Sequence, residues 1–176
     1  MVGELTTSIT KLIKLSTLLL DHNNFNGTIP NSISALTRLD HLDLFENRLS
    51  GNIPQELSKL TKLSFLGLSK NKLSGEIPSA FSKLTKLQKL YLAGNNFTGS
   101  ISSFSKLNEL RVFSIRENSF APINFSQLNL NKATLPKLAR FRLENSGIQY
   151  TIPEVLKAFP NFKNSSDGYS EIFECT

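Results

Sequence analysis

The sequence repeats itself with a period of 24 residues, and this period constrains the fold more than any other feature. The stretch LGLSKNKLSGEIP at 66–78 matches LDLFENRLSGNIP at 42–54 in its leucines, its Asn, its Ser-Gly pair and its Ile-Pro pair. A fixed period of this length is typical of chains built from stacked repeats, in which each unit buries its apolar surface against its neighbours.

The same positions recur in four near-complete copies. The first leucine of each Leu-x-Leu is Leu18, Leu42, Leu66 and Leu90, and the Asn that follows is Asn23, Asn47, Asn71 and Asn95. A fifth copy carries Asn118, and from about residue 108 the pattern is degenerate. Because Gly3, Leu5 and Ile9 match Gly27, Ile29 and Ile33, the chain is expected to open in the middle of a repeat. We therefore predict an array of about six repeats over 1–163, followed by a C-terminal tail at 164–176.

Elementary geometry assigns a structural role to each recurrent residue. Alternate residues of a strand point to the same side, so the two leucines of Leu-x-Leu face a core, and each repeat adds one strand to a parallel sheet. The repeated Asn is expected to hydrogen-bond the backbone of its own turn and of the next repeat, since an unpaired buried amide costs about 1–3 kcal/mol. Gly is expected to permit a turn and Pro to shape the return. The structural amides are Asn23, Asn47, Asn71, Asn95 and Asn118.

The pattern LxxLxLxxNxLxGxIPxxLxxLxx resembles the plant-type leucine-rich repeat of receptor-like kinase ectodomains, receptor-like proteins and polygalacturonase-inhibiting proteins. The resemblance covers about residues 3–162. It implies an α/β solenoid, a right-handed superhelix with a parallel β-sheet on the concave face and short helical or irregular segments on the convex side. The family usually seals its array with cysteine-containing caps, whereas this chain has one cysteine, Cys175. Residues 135–163, rich in phenylalanine, are the candidate for a C-terminal cap.

The exposed strand positions suggest a binding surface on the concave face. Apolar residues cluster in the middle copies, with acidic residues towards the N-terminal copies and arginines towards the C-terminal ones. Exposed aromatics rimmed by charge are typical of protein-binding patches. The alternative is a set of scattered surface residues on a degenerate array. The predicted partner-binding residues are Leu19, Phe45, Phe65, Tyr91, Arg116, Arg140 and Arg142.

Basic residues also recur on one flank of the repeats, just before each strand and three residues earlier. We call this set the basic stripe: Lys11, Lys14, Arg38, Lys59, Lys62, Lys83, Lys86 and Lys106. It could contact a polyanion such as an acidic polysaccharide or an acidic lipid surface. The alternative is a solvated flank copied by repeat duplication.

The sequence offers no constellation for catalysis, a metal or a cofactor. His22 and His41 lie at different strand positions in adjacent repeats, about five residues or roughly 16 Å apart along the strand direction, too far to share a metal. No phosphate-binding glycine loop or zinc-type spacing occurs. We therefore expect a protein that is not an enzyme and holds no cofactor and no metal. The net charge of +6 mildly favours acidic partners without indicating nucleic acid, and we expect no nucleic acid partner.

Three functions remain open at this point. The resemblance to receptor-like ectodomains implies extracellular or cell-surface display, with a protein or peptide ligand and a co-receptor, in defence or development. The inhibitor branch of the family implies inhibition of a secreted cell-wall hydrolase such as polygalacturonase. A cytoplasmic interaction scaffold is the third alternative, because the single cysteine allows it and no secretory-type apolar core follows Met1. No stretch approaches the roughly 20 apolar residues of a membrane span, so we expect no membrane segment in this chain.

Overall fold

The computed structural model describes residues 1–122, 130–149, 155, 157–160, 162–166 and 171–175. Within them, the strands β1 to β13 are, in chain order, Val2–Glu4, Thr17–Leu19, Asn24–Asn26, His41–Asp43, Ser50–Asn52, Phe65–Gly67, Lys72–Glu76, Lys89–Tyr91, Asn96–Thr98, Val112–Ser114, Arg140–Arg142, Phe162–Ser166 and Glu171–Cys175.

The predicted solenoid is confirmed. The Leu-x-Leu strands β2, β4, β6, β8, β10 and β11 lie side by side in one parallel sheet, in chain order. Pairing is in register with the repeat, so that Leu42 lies beside Leu66 and Leu66 beside Leu90. A shift by one residue would turn every core leucine outward, and the hydrophobic pattern therefore determines this register.

The core runs the length of the array as stacked rows of repeat residues. Leu42, Leu66 and Leu90, the central residues of their strands, are fully buried. Leu49, Leu73 and Phe97, which follow the repeated Asn, form another buried row. Because each row is shared between neighbouring repeats, no single repeat could bury its own leucines.

The turn predicted at the Gly positions is instead a second set of strands. Strands β5, β7 and β9 form a three-stranded parallel sheet, and β1 pairs with β3. Gly51 and Gly75 lie inside β5 and β7 with φ of 73° and 74°. Glycine thus permits a positive φ within a paired strand. These strands were not predicted from the sequence, because the repeat has no alternation of apolar and polar residues around its Gly.

In the described residues up to β10, the convex side carries one short 3₁₀ helix before each strand of the main sheet. Each of these five helices covers five residues, and successive helices contact one another: Thr7–Lys11, Asn31–Ala35, Gln55–Lys59, Ser79–Lys83 and Ser102–Lys106. In the second, third and fourth of these the residue before the helix is Pro30, Pro54 or Pro78. Proline at this position needs no N–H donor, which explains why the motif ends in Ile-Pro.

The repeated asparagines form a ladder that ties neighbouring repeats together. The Oδ1 of Asn71 accepts the N–H of Leu49 at 3.0 Å, and its Nδ2 donates to the carbonyls of Leu44 and Leu68 at 2.9 and 3.1 Å. Asn47, Asn95 and Asn118 repeat this arrangement. The sequence predicted bonds to the next repeat, but the asparagines bond to the preceding one. The reason is that each amide side chain points towards the strand of the preceding repeat.

The C-terminal end of the main sheet reverses direction. Strand β13 pairs antiparallel with β11 and with β12, so residues that the sequence placed in a tail beyond 163 continue the sheet. Underneath, Phe104, Phe113, Phe141 and Phe159 form a chain of ring contacts with centroids 4.8 to 6.2 Å apart. This aromatic row closes the leucine core where the repeats become irregular. The cap candidate Phe162 lies in β12, and its side chain is outside the described residues.

Candidate functional site

Three of the predicted binding residues meet in one pocket on the concave face. Phe65 begins β6, Tyr91 ends β8, and Phe45 follows β4 by two residues. Their alternation with buried leucines turns all three rings outward, where each is half-buried. Phe65 and Tyr91 lie 5.5 Å apart between ring centroids. Together with Asp43, Gly67 and Ser69 they line a pocket of about 280 Å³, called the aromatic pocket below.

Asp43 is the charged residue of the aromatic pocket; the sequence predicted only that acidic residues lie towards the N-terminal copies. Its Oδ1 accepts the N–H of Phe45 at 3.0 Å. Burial raises the pKa of the Asp43 carboxyl; the bond from Phe45 opposes this rise and the nearby charge of Asp21 adds to it. The carboxylate is thus partly stripped of water beside aromatic rings, an environment that favours a positively charged partner.

Gly67 makes room for that carboxylate. Its φ is not positive, so the strand conformation does not require glycine. A Cβ added there would collide with Oδ1 of Asp43 and lie 3.0 Å from Cε1 of Phe65. Glycine at this strand position therefore creates the space for the pocket. The sequence signal for this role is the absence of a side chain at a strand position whose neighbours are large.

A row of polar residues borders the pocket, and sequence reasoning missed it. We call His22, Glu46 and Lys70 the rim ladder. The Nδ1 of His22 lies 3.0 Å from Oε2 of Glu46, and Nζ of Lys70 lies 3.7 Å from the same oxygen. All three have φ of 52° to 53°, in the left-handed region. Their common place directly before the repeated Asn was the available signal.

The rim ladder and His41 also support the pocket's rings. His41 stacks on Phe65 with centroids 3.9 Å apart and planes inclined by 7°. His22 meets Phe45 edge-on at 5.0 Å, and Nζ of Lys70 lies 5.2 Å from the centroid of Phe45. The aromatic side chains are therefore held from several sides before any ligand arrives, which lowers the entropy lost on binding.

The other predicted partner-binding residues lie outside the pocket. Leu19 is on β2, beside Asp43 in the register and 56% exposed, at the N-terminal margin of the sheet. Arg142 lies two strands beyond Tyr91, or about 10 Å at the usual strand spacing. Arg140 starts the same strand, and Arg116 follows β10 with its Nη1 3.6 Å from Oε1 of Glu117. The arginines form a separate basic zone on the same face.

The basic stripe is a set of exposed side chains, as both interpretations of it require. All eight side chains are exposed. Lys11, Lys59, Lys83 and Lys106 each end a 3₁₀ helix. Within the described residues, none of the eight takes part in an ion pair, whereas Lys137, next along the same flank, pairs with Glu109 at 2.6 Å.

Neither a metal centre nor a membrane span occurs in the described part of the chain. No group of three or more His, Cys, Asp or Glu there is arranged to hold a metal ion. None of the helices among those same residues reaches the length and apolarity needed to cross a membrane.

Comparisons with known proteins agree with this architecture. A family model described as "Leucine-rich repeat region" matches residues 1–163. A comparison with curated proteins gives no match.

Several solved structures are similar to the chain. The ectodomain of the plant membrane receptor kinase GASSHO1/SCHENGEN3 from Arabidopsis thaliana, in complex with CASPARIAN STRIP INTEGRITY FACTOR 2, is 34% identical with a TM-score of 0.76, over 84% of this chain and 17% of that one. The plant peptide hormone receptor RGFR1 in complex with RGF2 is 29% identical with a TM-score of 0.76, over 85% of this chain and 27% of that one.

A third similar structure is the ectodomain of the Arabidopsis receptor kinase HAESA in complex with an N-terminally extended IDA peptide hormone. It is 32% identical with a TM-score of 0.72, over 85% of this chain and 24% of that one. The chain thus spans between 17% and 27% of the length of these three solved proteins.

Proposed function

The chain belongs to the leucine-rich repeat family, in the plant-type form of receptor ectodomains, and on that premise we propose that it is a non-catalytic recognition module. Its concave face binds a protein or peptide ligand, and the aromatic pocket is the centre of that contact. The observation that carries the proposal is the meeting of three outward-facing rings, from three successive repeats, around one cavity.

The three rings form a preformed apolar surface on a rigid sheet. Phe65 and Tyr91 lie on strands whose other face is buried in the core, and Phe45 follows such a strand, directly after the buried Leu44. Aromatic anchors in pockets contribute most of the energy of many protein interfaces. The basic zone of Arg116, Arg140 and Arg142 adds a charged end to the surface, which would set the orientation of an extended ligand.

Three similar proteins support a peptide or protein as the ligand. In one of them the plant peptide hormone receptor RGFR1 is in complex with RGF2, and in another HAESA is in complex with the IDA peptide hormone. In the third, GASSHO1/SCHENGEN3 is in complex with CASPARIAN STRIP INTEGRITY FACTOR 2. Another solved neighbour contains the receptor kinase HAESA, the hormone IDA and the co-receptor SERK1. By this analogy, we assign the module to the extracellular or cell-surface part of a receptor-like signalling protein, with a co-receptor as a second partner.

Peptides selected from a random phage-displayed library on the full 176-residue chain test this function. Phe65→Ala and Tyr91→Ala should each weaken the selected peptides by about 30-fold or more, the range of a binding hot spot. The matched control is Leu12→Ala, which removes an exposed apolar side chain at the end of the first convex helix, outside the residues that line the pocket. Melting temperatures of all variants should stay close to that of the parent. Peptides that bind both pocket variants as well as the parent would refute the proposal.

A further inference from the structure

The aromatic pocket contains an acidic group that its apolar lining does not explain. Asp43 is the charged residue among the six that line it. Its Oδ1 is engaged by the N–H of Phe45. In the described part of the chain, Oδ2 has no hydrogen-bond partner. One oxygen is therefore held by the backbone while the other remains for a donor that enters the cavity.

A ligand that fills the pocket must compensate this carboxylate. Burial already disfavours its charged form, and a seated side chain would remove more of the remaining water. An apolar ligand group would leave the carboxylate buried and unpaired, at a cost well above that of a neutral polar group. An ammonium or guanidinium group would supply both the opposite charge and the missing donor.

The ring faces favour the same chemistry. Cations are attracted to the faces of aromatic rings within about 6 Å of the centroid. Lys70 already shows this for Phe45, at 5.2 Å, although Lys70 itself lies outside the residues that line the pocket. Phe65 and Tyr91 present two further rings around the same space.

We propose that the aromatic pocket is a subsite for a lysine or arginine side chain of the bound peptide. The Asp43 carboxylate is the counter-charge, and the three rings are the walls along which the aliphatic stem and the cation lie. Gly67 is the specificity-determining position, because any side chain there would displace the carboxylate. This inference rests on the proposed function and narrows it from peptides in general to peptides with a basic anchor residue.

The surrounding charges do not cancel Asp43. Lys70 is paired with Glu46 at 3.7 Å. Lys89 is exposed beside Phe65 in the strand register, outside the lining. Asp21, on the acidic side of the pocket, raises the pKa of Asp43, whereas His41 and His22 lower it. An incoming cation therefore meets one lysine that is already paired and one that lies a strand away.

The experiment uses the peptides selected on the parent chain and measures their affinity by isothermal titration calorimetry. Each basic residue of a peptide is replaced in turn by norleucine, which keeps the stem and removes the charge. One replacement should weaken binding by about tenfold or more, a typical loss for a partly buried charge pair. In Asp43→Asn, which keeps the acceptor for Phe45, the same replacement should have little effect. Asp21→Asn is the matched control and should preserve the parent's preference.

A second variant covers the case in which Asp43→Asn unfolds. Gly67→Ala leaves the charge in place but displaces it, and it should reduce the preference for a basic residue in the same way. If selected peptides need Phe65 and Tyr91 but show no loss with norleucine, the cationic subsite is refuted and the recognition function stands. If no peptide depends on Phe65 or Tyr91, both are refuted.

Discussion

Replacing Asn71 by Ala should reveal how much one rung of the amide ladder contributes to stability. Asn71 is buried at 9% exposure, and its side chain makes bonds in two repeats. Its loss does not leave every partner unpaired, since the carbonyl of Leu44 retains Asn47 at 3.2 Å and that of Leu68 retains Asn95 at 3.0 Å. The group left without a partner is the N–H of Leu49, inside the core.

The unpaired N–H of Leu49 sets the magnitude of the loss. A buried donor without a partner costs about 1–3 kcal/mol, and the lost net hydrogen bonding adds about 1 kcal/mol. We therefore expect Asn71→Ala to lower the free energy of unfolding by about 2–4 kcal/mol. Asn23 provides the comparison, because it is half-buried, its Nδ2 bonds only to the carbonyls of Leu20 and Asp21 in its own repeat, and its Oδ1 accepts from the exposed N-terminal ammonium of Met1, which water can hydrate after the substitution. Asn23→Ala should cost about 1 kcal/mol or less.

Urea unfolding followed by circular dichroism measures both variants, with the denaturant slope checked for constancy. The expected result is a clear separation between the internal rung and the terminal one. Equal losses for Asn71→Ala and Asn23→Ala would refute the reasoning, since it attributes the difference to the buried N–H of Leu49, which only Asn71→Ala leaves without a partner.

A strained glycine, the half-buried carboxyl of Asp43 and the basic stripe each give a further testable outcome. Gly94→Ala should lower the free energy of unfolding, measured in urea, by about 1–2 kcal/mol, because the φ of Gly94 is 64°. The cost is conformational, since the atom nearest to a new Cβ is the backbone N of Lys70 at 3.5 Å, an ordinary contact distance. An unchanged free energy of unfolding would contradict this. Burial raises the pKa of Asp43 in the folded chain. The parent should therefore lose stability relative to Asp43→Asn as the pH rises from below the ordinary carboxyl pKa to above the raised pKa of the folded state. Free energies of unfolding that change in parallel for the two proteins over this pH range would contradict this. If the basic stripe contacts polyanions, the chain should bind polygalacturonate at low ionic strength and release it as salt is added. The double variant Lys62→Ala with Lys86→Ala should bind more weakly. Absence of binding at low salt, or binding that does not change with salt, would count against contact through the stripe.

The repeat period predicted the parts of the fold that depend on position alone. Leu66 and Leu68 follow strand alternation, so their burial in a parallel sheet could be inferred directly. The second sheet could not, because Gly51 and Gly75 adopt a positive φ that strand preferences do not anticipate. The antiparallel strand Glu171–Cys175 also escaped prediction, since it lies beyond the last repeat and pairs by contacts that no period encodes.

The site was predictable in outline only. Phe65 and Tyr91 fall on neighbouring strands of the same face, and their proximity follows from the repeat. Asp43 enters the pocket because Gly67, its neighbour on the next strand, leaves space for the carboxylate. The repeat period predicts that the two residues are neighbours, but not that the side chain of one fills the space left by the other. Leu19 is on the same face, yet it has no strand on its N-terminal side within the described residues to complete a pocket around it.

The amide ladder also determines where such a chain can gain or lose residues. In three rungs the Oδ1 accepts a backbone N–H 22 positions earlier, whereas in the rung at Asn118 the offset is 21. The missing residue lies at the start of the convex helix: Ile101 precedes Ser102–Lys106 directly, where earlier copies place Pro. A deletion has been absorbed there without breaking a rung. Insertions and deletions should therefore accumulate on the convex side, while unequal crossing-over between whole 24-residue units leaves the segment from Leu-x-Leu to Asn intact.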